Sequence, residues 1–378
     1  MAQRFRSMGF GFNTMLSLRE LVGLAQRAEA LGVRRFWLAE EYHYRSATTV
    51  AAAVAQATRR IEIGLGVISP FTRHPGILAM EAATLSELSG GRIVLGLGAA
   101  LIGLRSHRRI GKVPLAAGMR EAVGITRRLL AGEEVSAEGG MWEFDAARLA
   151  LTADPGDRSA RRVPVFAGVM SPRNLRMAGE VADGVLFGVF CTPAFVRQGV
   201  ADIRAGATAA GRNPDDLEIG SYMLTGLGKD RATRDAVKDT VAVYLCRVGG
   251  FILAGLRAAA AARAAGKGDA GGRLAWAEVP SDRGVTAGLT EADLEGLVAR
   301  LSEAFRRDDR AAMRAALPEA VVDHLAIVGD AEQIAERLIP YAEAGLSTIV
   351  PYHILGAERA AAMAAYVEQV VPRVCAGN

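Results

Sequence analysis

Ile61-Glu62-Ile63-Gly64-Leu65-Gly66-Val67, the loop Ile68-Ser69-Pro70-Phe71-Thr72-Arg73-His74-Pro75, and the run Ile93-Val94-Leu95-Gly96-Leu97-Gly98 decide the fold. Each apolar, β-branched run has the length of a buried strand, Ile61–Val67 and then Ile93–Leu97. Pro75–Leu88 between them has helical length. Pro75 suits its first turn, where the missing N–H costs nothing, and His74 can cap it. Strands joined through a helix lie parallel. The loop Gly66–Pro75 therefore leaves the carboxyl end of a parallel strand, where α/β proteins assemble their ligand sites.

The same alternation extends in both directions. Upstream, Met8–Phe12 reads as a strand and Leu18–Leu31 as a helix, with Ser17 as N-cap and Gly32 past its end. Arg35–Ala39 is the next strand and Ser46–Thr58 the next helix. Downstream come helix Leu115–Leu130 and an irregular stretch, Gly132–Leu151. Then follow strand Val163–Ala167, helix Pro172–Val181, strand Gly184–Phe190, helix Pro193–Ala210 and strand Glu218–Leu224. Helix is expected from Arg231, across Thr290–Ala316 and over Asp330–Ala344, then strand Thr348–Tyr352 and helix Ala357–Val370. Eight strands, each followed by helix, predict an α/β fold, a (β/α)8 TIM barrel with insertions. A doubly wound sheet would carry Gly-x-Gly-x-x-Gly after its first strand, and this chain does not. Residues 1–378 are expected to form one domain, with a mostly helical insertion at about 245–325. Leu256–Gly272 inside it is rich in Ala, Gly and Arg and reads as loosely packed.

The 378 residues are 51% hydrophobic and 23% charged, ordinary values for a globular chain, and the net charge is +4. The basic clusters Arg105–Lys112 and Arg306–Arg310 are short, so nucleic acid is not the expected partner. Three separated cysteines, Cys191, Cys246 and Cys375, point to a reducing compartment without disulfides. No run is long and apolar enough for a membrane span, so a cytoplasmic protein is expected. Metal-ligand spacing, a nucleophile elbow and a phosphate-binding P-loop are all missing.

Three constellations remain. Glu40-Glu41-Tyr42-His43-Tyr44-Arg45 follows the second strand and can supply proton transfer, or it is a polar loop before a helix capped by Ser46. Gly66–Pro75 offers a bulge and a hydroxyl, Ser69, or is a tight turn. Gly168-Val169-Met170-Ser171-Pro172 runs from strand to helix, where free amides and the helix dipole favour an anion, or Ser171 is only an N-cap. Asp183-Gly184-Val185 would sit beside it. Phe10, Phe12, Met15, Phe71, Phe187 and Phe190 would suit an apolar lining or a core.

Glu20-Leu21-Val22, Trp37…Glu40, Arg73-His74-Pro75, Leu88-Ser89-Gly90-Gly91-Arg92…Gly98, Ala178-Gly179-Glu180…Gly184 and Val328-Gly329-Asp330…Gly345-Leu346 together resemble the bacterial-luciferase-like superfamily of flavin- and deazaflavin-dependent barrels. Arg73-His74-Pro75 leans toward its F420-dependent branch, similar to methylenetetrahydromethanopterin reductases. The resemblance implies a cytoplasmic homodimer and an F420-dependent oxidoreductase moving a hydride between the ring and an organic substrate at the barrel mouth. FMN-dependent monooxygenase chemistry is the alternative, and a non-catalytic flavin-binding barrel a third reading. It further implies a ring laid on Gly66-Val67, the place of the family's non-prolyl cis peptide, with Ser69 at the ring edge and Glu40 and Gly98 close by. The phosphate would lie at Gly168, Val169, Met170 and Ser171 and near Gly184 and Val185. Glu41 stands where a histidine often moves the proton, so Glu41 itself, His43 or Glu40 would do so. Ala99-Ala100-Leu101 stand where relatives often carry an acid.

Overall fold

Burial sorts the strand residues into two faces, and that sorting builds the barrel. The structure is a computed structural model and describes residues 4–99, 115–150, 163–264, 290–355 and 358–376. The first four units are β1 (Ser7–Asn13), α1 (Leu18–Ala30), β2 (Arg35–Ala39), α2 (Ala47–Ala57), β3 (Glu62–Ile68), α3 (Pro75–Ser89), β4 (Ile93–Gly98) and α4 (Leu115–Leu130). A short antiparallel hairpin follows, β5 (Val135–Ala137) and β6 (Phe144–Ala147). Next come β7 (Val165–Gly168), α5 (Pro172–Val181), β8 (Gly184–Phe187), α6 (Pro193–Ala209) and β9 (Glu218–Leu227). The remainder is α7 (Arg231–Ala264), α8 (Glu291–Arg306), α9 (Arg310–Ala316), α10 (Glu319–Leu325), β10 (Ile327–Gly329), α11 (Ala331–Glu343), β11 (Thr348–Leu355), α12 (Arg359–Gln369) and α13 (Val371–Val374).

The strands pair in the order β9-β11-β1-β2-β3-β4-β7-β8, all parallel, and β8 returns to β9 to close eight strands into a barrel. β10 is a ninth, three-residue strand on β9 above β8. Nothing in three residues announces it in the sequence. The predicted caps form: Ser17, Ser171 and Thr290 each accept an amide of their helix's first turn, and His74 Nδ1 accepts Gly76 N. Ser46 makes no such bond. The predicted helix Thr290–Ala316 is two helices, because Asp308 sits at φ +53° and Asp309 caps α9. Of the loosely packed stretch expected over Leu256–Gly272, residues 256–264 continue α7, and the rest, the basic cluster Arg105–Lys112 and the loop from Ala100 lie outside the described residues.

Phe10, Phe12, Phe36, Leu38, Ile63 and Leu65 face outward into one core shared with the surrounding helices. Phe10, Phe12 and Phe187 are fully buried there, so they are core and not a ligand lining. The inward face is a second core. Trp37, Val94, Phe166, Leu186, Tyr222 and Tyr352 fill the barrel and continue onto Tyr244 and Leu245 of α7. Glycine makes room for the indole, since a Cβ on Gly64 would fall 2.2 Å from Trp37 Cε3. Arg35 plugs the amino end. It is 3% exposed, reaches Glu62 and Glu218 at 2.7 Å each, and lies over the rings of Trp37 and Phe166.

Helices α7 to α10 separate β9 from β10. Arg314 of α9 holds Asp239 of α7 at 2.6 Å, and Arg234 of α7 holds Glu319 of α10 at 2.8 Å. Among the described residues no helix is long and apolar enough to cross a membrane. The three cysteines are free thiols.

Candidate active site at the barrel mouth

The β3–β4 ladder shifts register between Gly66 and Ile68, and the Gly66–Val67 peptide is cis. Gly98 and Gly168 pair across β4 and β7 at the carboxyl end of both strands. Val67 lies over both. A Cβ on Gly98 would be 2.6 Å from Val67 Cγ2, and one on Gly168 would be 2.5 Å from Val67 Cγ1. The two glycines thus let β3 lean across its neighbours and form a ledge, on which Val67 and Gly168 remain half-buried while Gly66 and Gly98 are covered. Tyr222 of β9 reaches across the barrel and donates its hydroxyl to the Gly66 carbonyl at 2.5 Å.

The two carboxylates after β2 part company, because successive strand residues face opposite sides. Arg35 and Trp37 point inward, and Glu41 keeps that phase into the mouth. Glu40 faces the helices, where it pairs with Arg73 at 3.3 Å and accepts the Ala47 amide at 3.1 Å. Glu40 therefore caps α2 in place of Ser46 and ties two loops together. In this arrangement Glu40 acts as a brace between the loops.

Glu41 pairs with Arg247 of α7 at 3.1 Å, and its own amide donates to Thr14 Oγ1 at 3.0 Å. Burial pushes the Glu41 carboxyl up from its ordinary range, and the Arg247 guanidinium pulls it partly back. Behind the pair stand three tyrosines. Tyr222 and Tyr352 have ring centroids 4.6 Å apart, and Tyr352 meets Tyr244 edge-on at 6.2 Å. The Tyr244 hydroxyl hydrogen-bonds to Tyr352 and Asn13. Burial drives all three phenols up, so they stay protonated. His353, beside Tyr352, is driven down to about 3 by burial with Arg359 adding to it, and stays neutral. Arg247, Tyr244, Tyr222, Tyr352 and Asn13 were not singled out from sequence. Alternation along β9 marks Tyr222 as inward, and the i, i+3 spacing of Tyr244 and Arg247 marks one helix face.

His43 lies on the exposed side of the loop at φ +67°, its ring 6.4 Å from that of Tyr42. Ser69 is fully buried. Its hydroxyl donates to Ala99 O at 3.2 Å and accepts from Phe71 N at 3.3 Å. It fastens the ledge loop to the end of β4.

Gly168, Met170 and Ser171 are half-buried where β7 turns into α5, while Val169 is 6% exposed and packs into the core. The Ser171 hydroxyl accepts the Asn174 amide at 3.4 Å and keeps its own proton to donate. Gly184 and Val185 do not join this loop. Gly184 pairs with Glu218 at the amino end of β8, the end plugged by Arg35, and Val185 is fully buried. The residues that do arrive are Gly188 and Val189. Gly188 N donates to Met170 Sδ at 3.3 Å, which ties the two loops together, and a Cβ on Gly188 would meet only that sulfur, 3.7 Å away.

Comparison with known proteins agrees with this geometry. A family model described as luciferase-like monooxygenase matches residues 7–348. A 5,10-methylenetetrahydromethanopterin reductase of Methanolobus tindarius is 32% identical over 240 residues, which cover 63% of this chain and 71% of that protein. The enzyme of the same name from Archaeoglobus fulgidus is 27% identical over 373 residues, covering 97% of this chain and all of its relative. The solved coenzyme F420 dependent tetrahydromethanopterin reductase of Methanopyrus kandleri superposes with a TM-score of 0.79 at 22% identity, over 98% of this chain and 99% of that one. The family match runs from the first residue of β1 to the first of β11, and the chain belongs to the luciferase-like monooxygenase family.

Proposed function

We propose that the chain is an F420-dependent oxidoreductase acting on a small organic substrate at the barrel mouth. The observation that carries the reading is the Val67 ledge on β3, with the half-buried Glu41 carboxyl past the end of the neighbouring strand β2. F420-dependent glucose-6-phosphate dehydrogenases among the sequence relatives support the choice of cofactor. The residues fit such a group. The ledge offers a flat face beside Gly168, and the half-buried Met170 and Ser171 lead from it into the first turn of α5. There the Ser171 hydroxyl and the positive end of the helix suit a phosphate. When bound, F420 exchanges a hydride at C5 of its ring. The chain supplies the rest: Gly66, Val67 and Gly168 orient the ring, Tyr222 fixes the Gly66 carbonyl, and Glu41 holds or releases a proton at its carboxyl oxygen. His43, on the exposed rim, is the second candidate for that proton.

Titrating the protein with F420 and with FMN, and following turnover anaerobically across a substrate panel, tests this. Binding of F420 with bleaching on turnover is the expected result. Tight FMN binding with no F420 binding would turn the reading to a monooxygenase, and binding without turnover to a non-catalytic barrel.

The same reading includes a homodimer. Ile77, Met80 and Leu88 of α3 are 45%, 53% and 43% exposed and lie along one side of the helix. Met80→Asp is expected to bring the sedimentation coefficient to that of a monomer with the circular dichroism unchanged. A variant that sediments as the parent does would reject this face.

A further inference from the structure

We propose that α7 completes the active site: Arg247 is a positioning residue that orients the Glu41 carboxyl over the mouth and supplies its counter-charge. This rests on the role proposed above for Glu41. The earlier charges of α7 serve the helices around it, Arg234 and Lys238 meeting Glu319 and Asp239 meeting Arg314. Arg247 is different. It reaches off its own helix to the barrel and meets Glu41 at 3.1 Å, with the two side chains only 20% and 17% exposed. Tyr244, one turn earlier on the same face, bolts the helix in place. Its ring meets Phe190 at 6.0 Å and Tyr352 at 6.2 Å, and its hydroxyl is tied to Tyr352 and Asn13. Arg247 is thus held at a fixed height above the barrel.

The groups facing Glu41 are few. Arg247 and Tyr244 come from α7, Tyr352 from β11 and the Thr14 hydroxyl from the end of β1, while Glu40 turns its carboxylate away toward Arg73. The tyrosines are neutral, so one guanidinium is the only cation among the described residues that faces the carboxylate. Removing it leaves a half-buried acid with no counter-charge, and such an acid holds its proton to higher pH.

The test compares Arg247→Gln and Arg247→Lys in two readouts. The first is the pH dependence of kcat/KM with F420. The second needs no cofactor: carbon-13 NMR titration of the Glu41 carboxyl, assigned by its loss in Glu41→Gln. In Arg247→Gln the acidic limb and the carboxyl titration are both expected to move up by about 1 to 3 pH units, with Arg247→Lys returning most of the way. A lowered melting temperature with the Glu41 titration unmoved would make Arg247 a structural residue and overturn the proposal. If the titration moves while the parent protein never turns over with F420, the proposed activity fails and the pairing stands.

Discussion

Glu41→Gln is expected to lower kcat by about a hundred- to ten-thousand-fold, the usual worth of a positioned acid or base, while F420 affinity changes little. The amide keeps the shape of the carboxyl and can still accept from Arg247, so packing at the mouth is preserved. What it loses is the proton. Glu40→Gln is the matched control. Its carboxylate caps α2 and holds Arg73, so its loss should appear as a lower melting temperature with most of the activity retained. Steady-state kinetics and thermal melts on the two variants separate the roles. Equal kinetic losses in both would place the chemistry on Glu40 as well and contradict the split between the two faces of β2. His43→Asn gives the third arm: a loss as large as that of Glu41→Gln would move the proton to the rim.

The largest effect on stability is expected at the other end of the barrel. Arg35→Ala should destabilise the fold by about 3–5 kcal/mol, because it strands Glu218, 19% exposed, without its counter-charge and opens a gap beneath Trp37. Arg34 also reaches Glu218, at 3.1 Å, but from a side chain 44% exposed, and it replaces little of the lost attraction. The pH dependence follows from sign. Burial alone would raise the Glu218 carboxyl, but Arg35, Arg34 and the Thr348 hydroxyl hold it below the usual carboxylate value of 4.5. A group lowered by folding stabilises the protein fully above its unfolded value and loses that contribution as pH falls through the folded one. The parent should therefore lose stability below about pH 4.5 in part through this group. The Arg35→Ala variant should show a flatter acid limb in chemical denaturation. A variant as stable as the parent at neutral pH would mean that the plug is not needed.

The two ends of the barrel also show what sequence does and does not carry. Strand and helix periods are local, so the eight barrel strands, the turn at Gly66 and the caps at Ser17, His74, Ser171 and Thr290 could be read directly. Position along a strand is harder. Gly184 looked like a phosphate neighbour because it follows Asp183 after a helix. Yet it opens its strand, and Gly188, about 13 Å further along, is the residue that reaches the mouth. Glu40 and Glu41 are adjacent letters with opposite directions, and only the inward phase of Arg35 and Trp37 tells them apart. The partners of Ser69, Ala99 and Phe71, could not be read from sequence, because they come together only when β3 and β4 pair. Arg247 lay beyond reach altogether. Its partner is 206 residues away, and nothing local to α7 says which face crosses the barrel.

A crystal structure of the F420 complex tests the central claim most directly. The ring should lie against Gly66-Val67 with Glu41 beside it, and the phosphate at Gly168–Ser171 near Gly188. A ring seated away from Val67, or a phosphate remote from the first turn of α5, would contradict it.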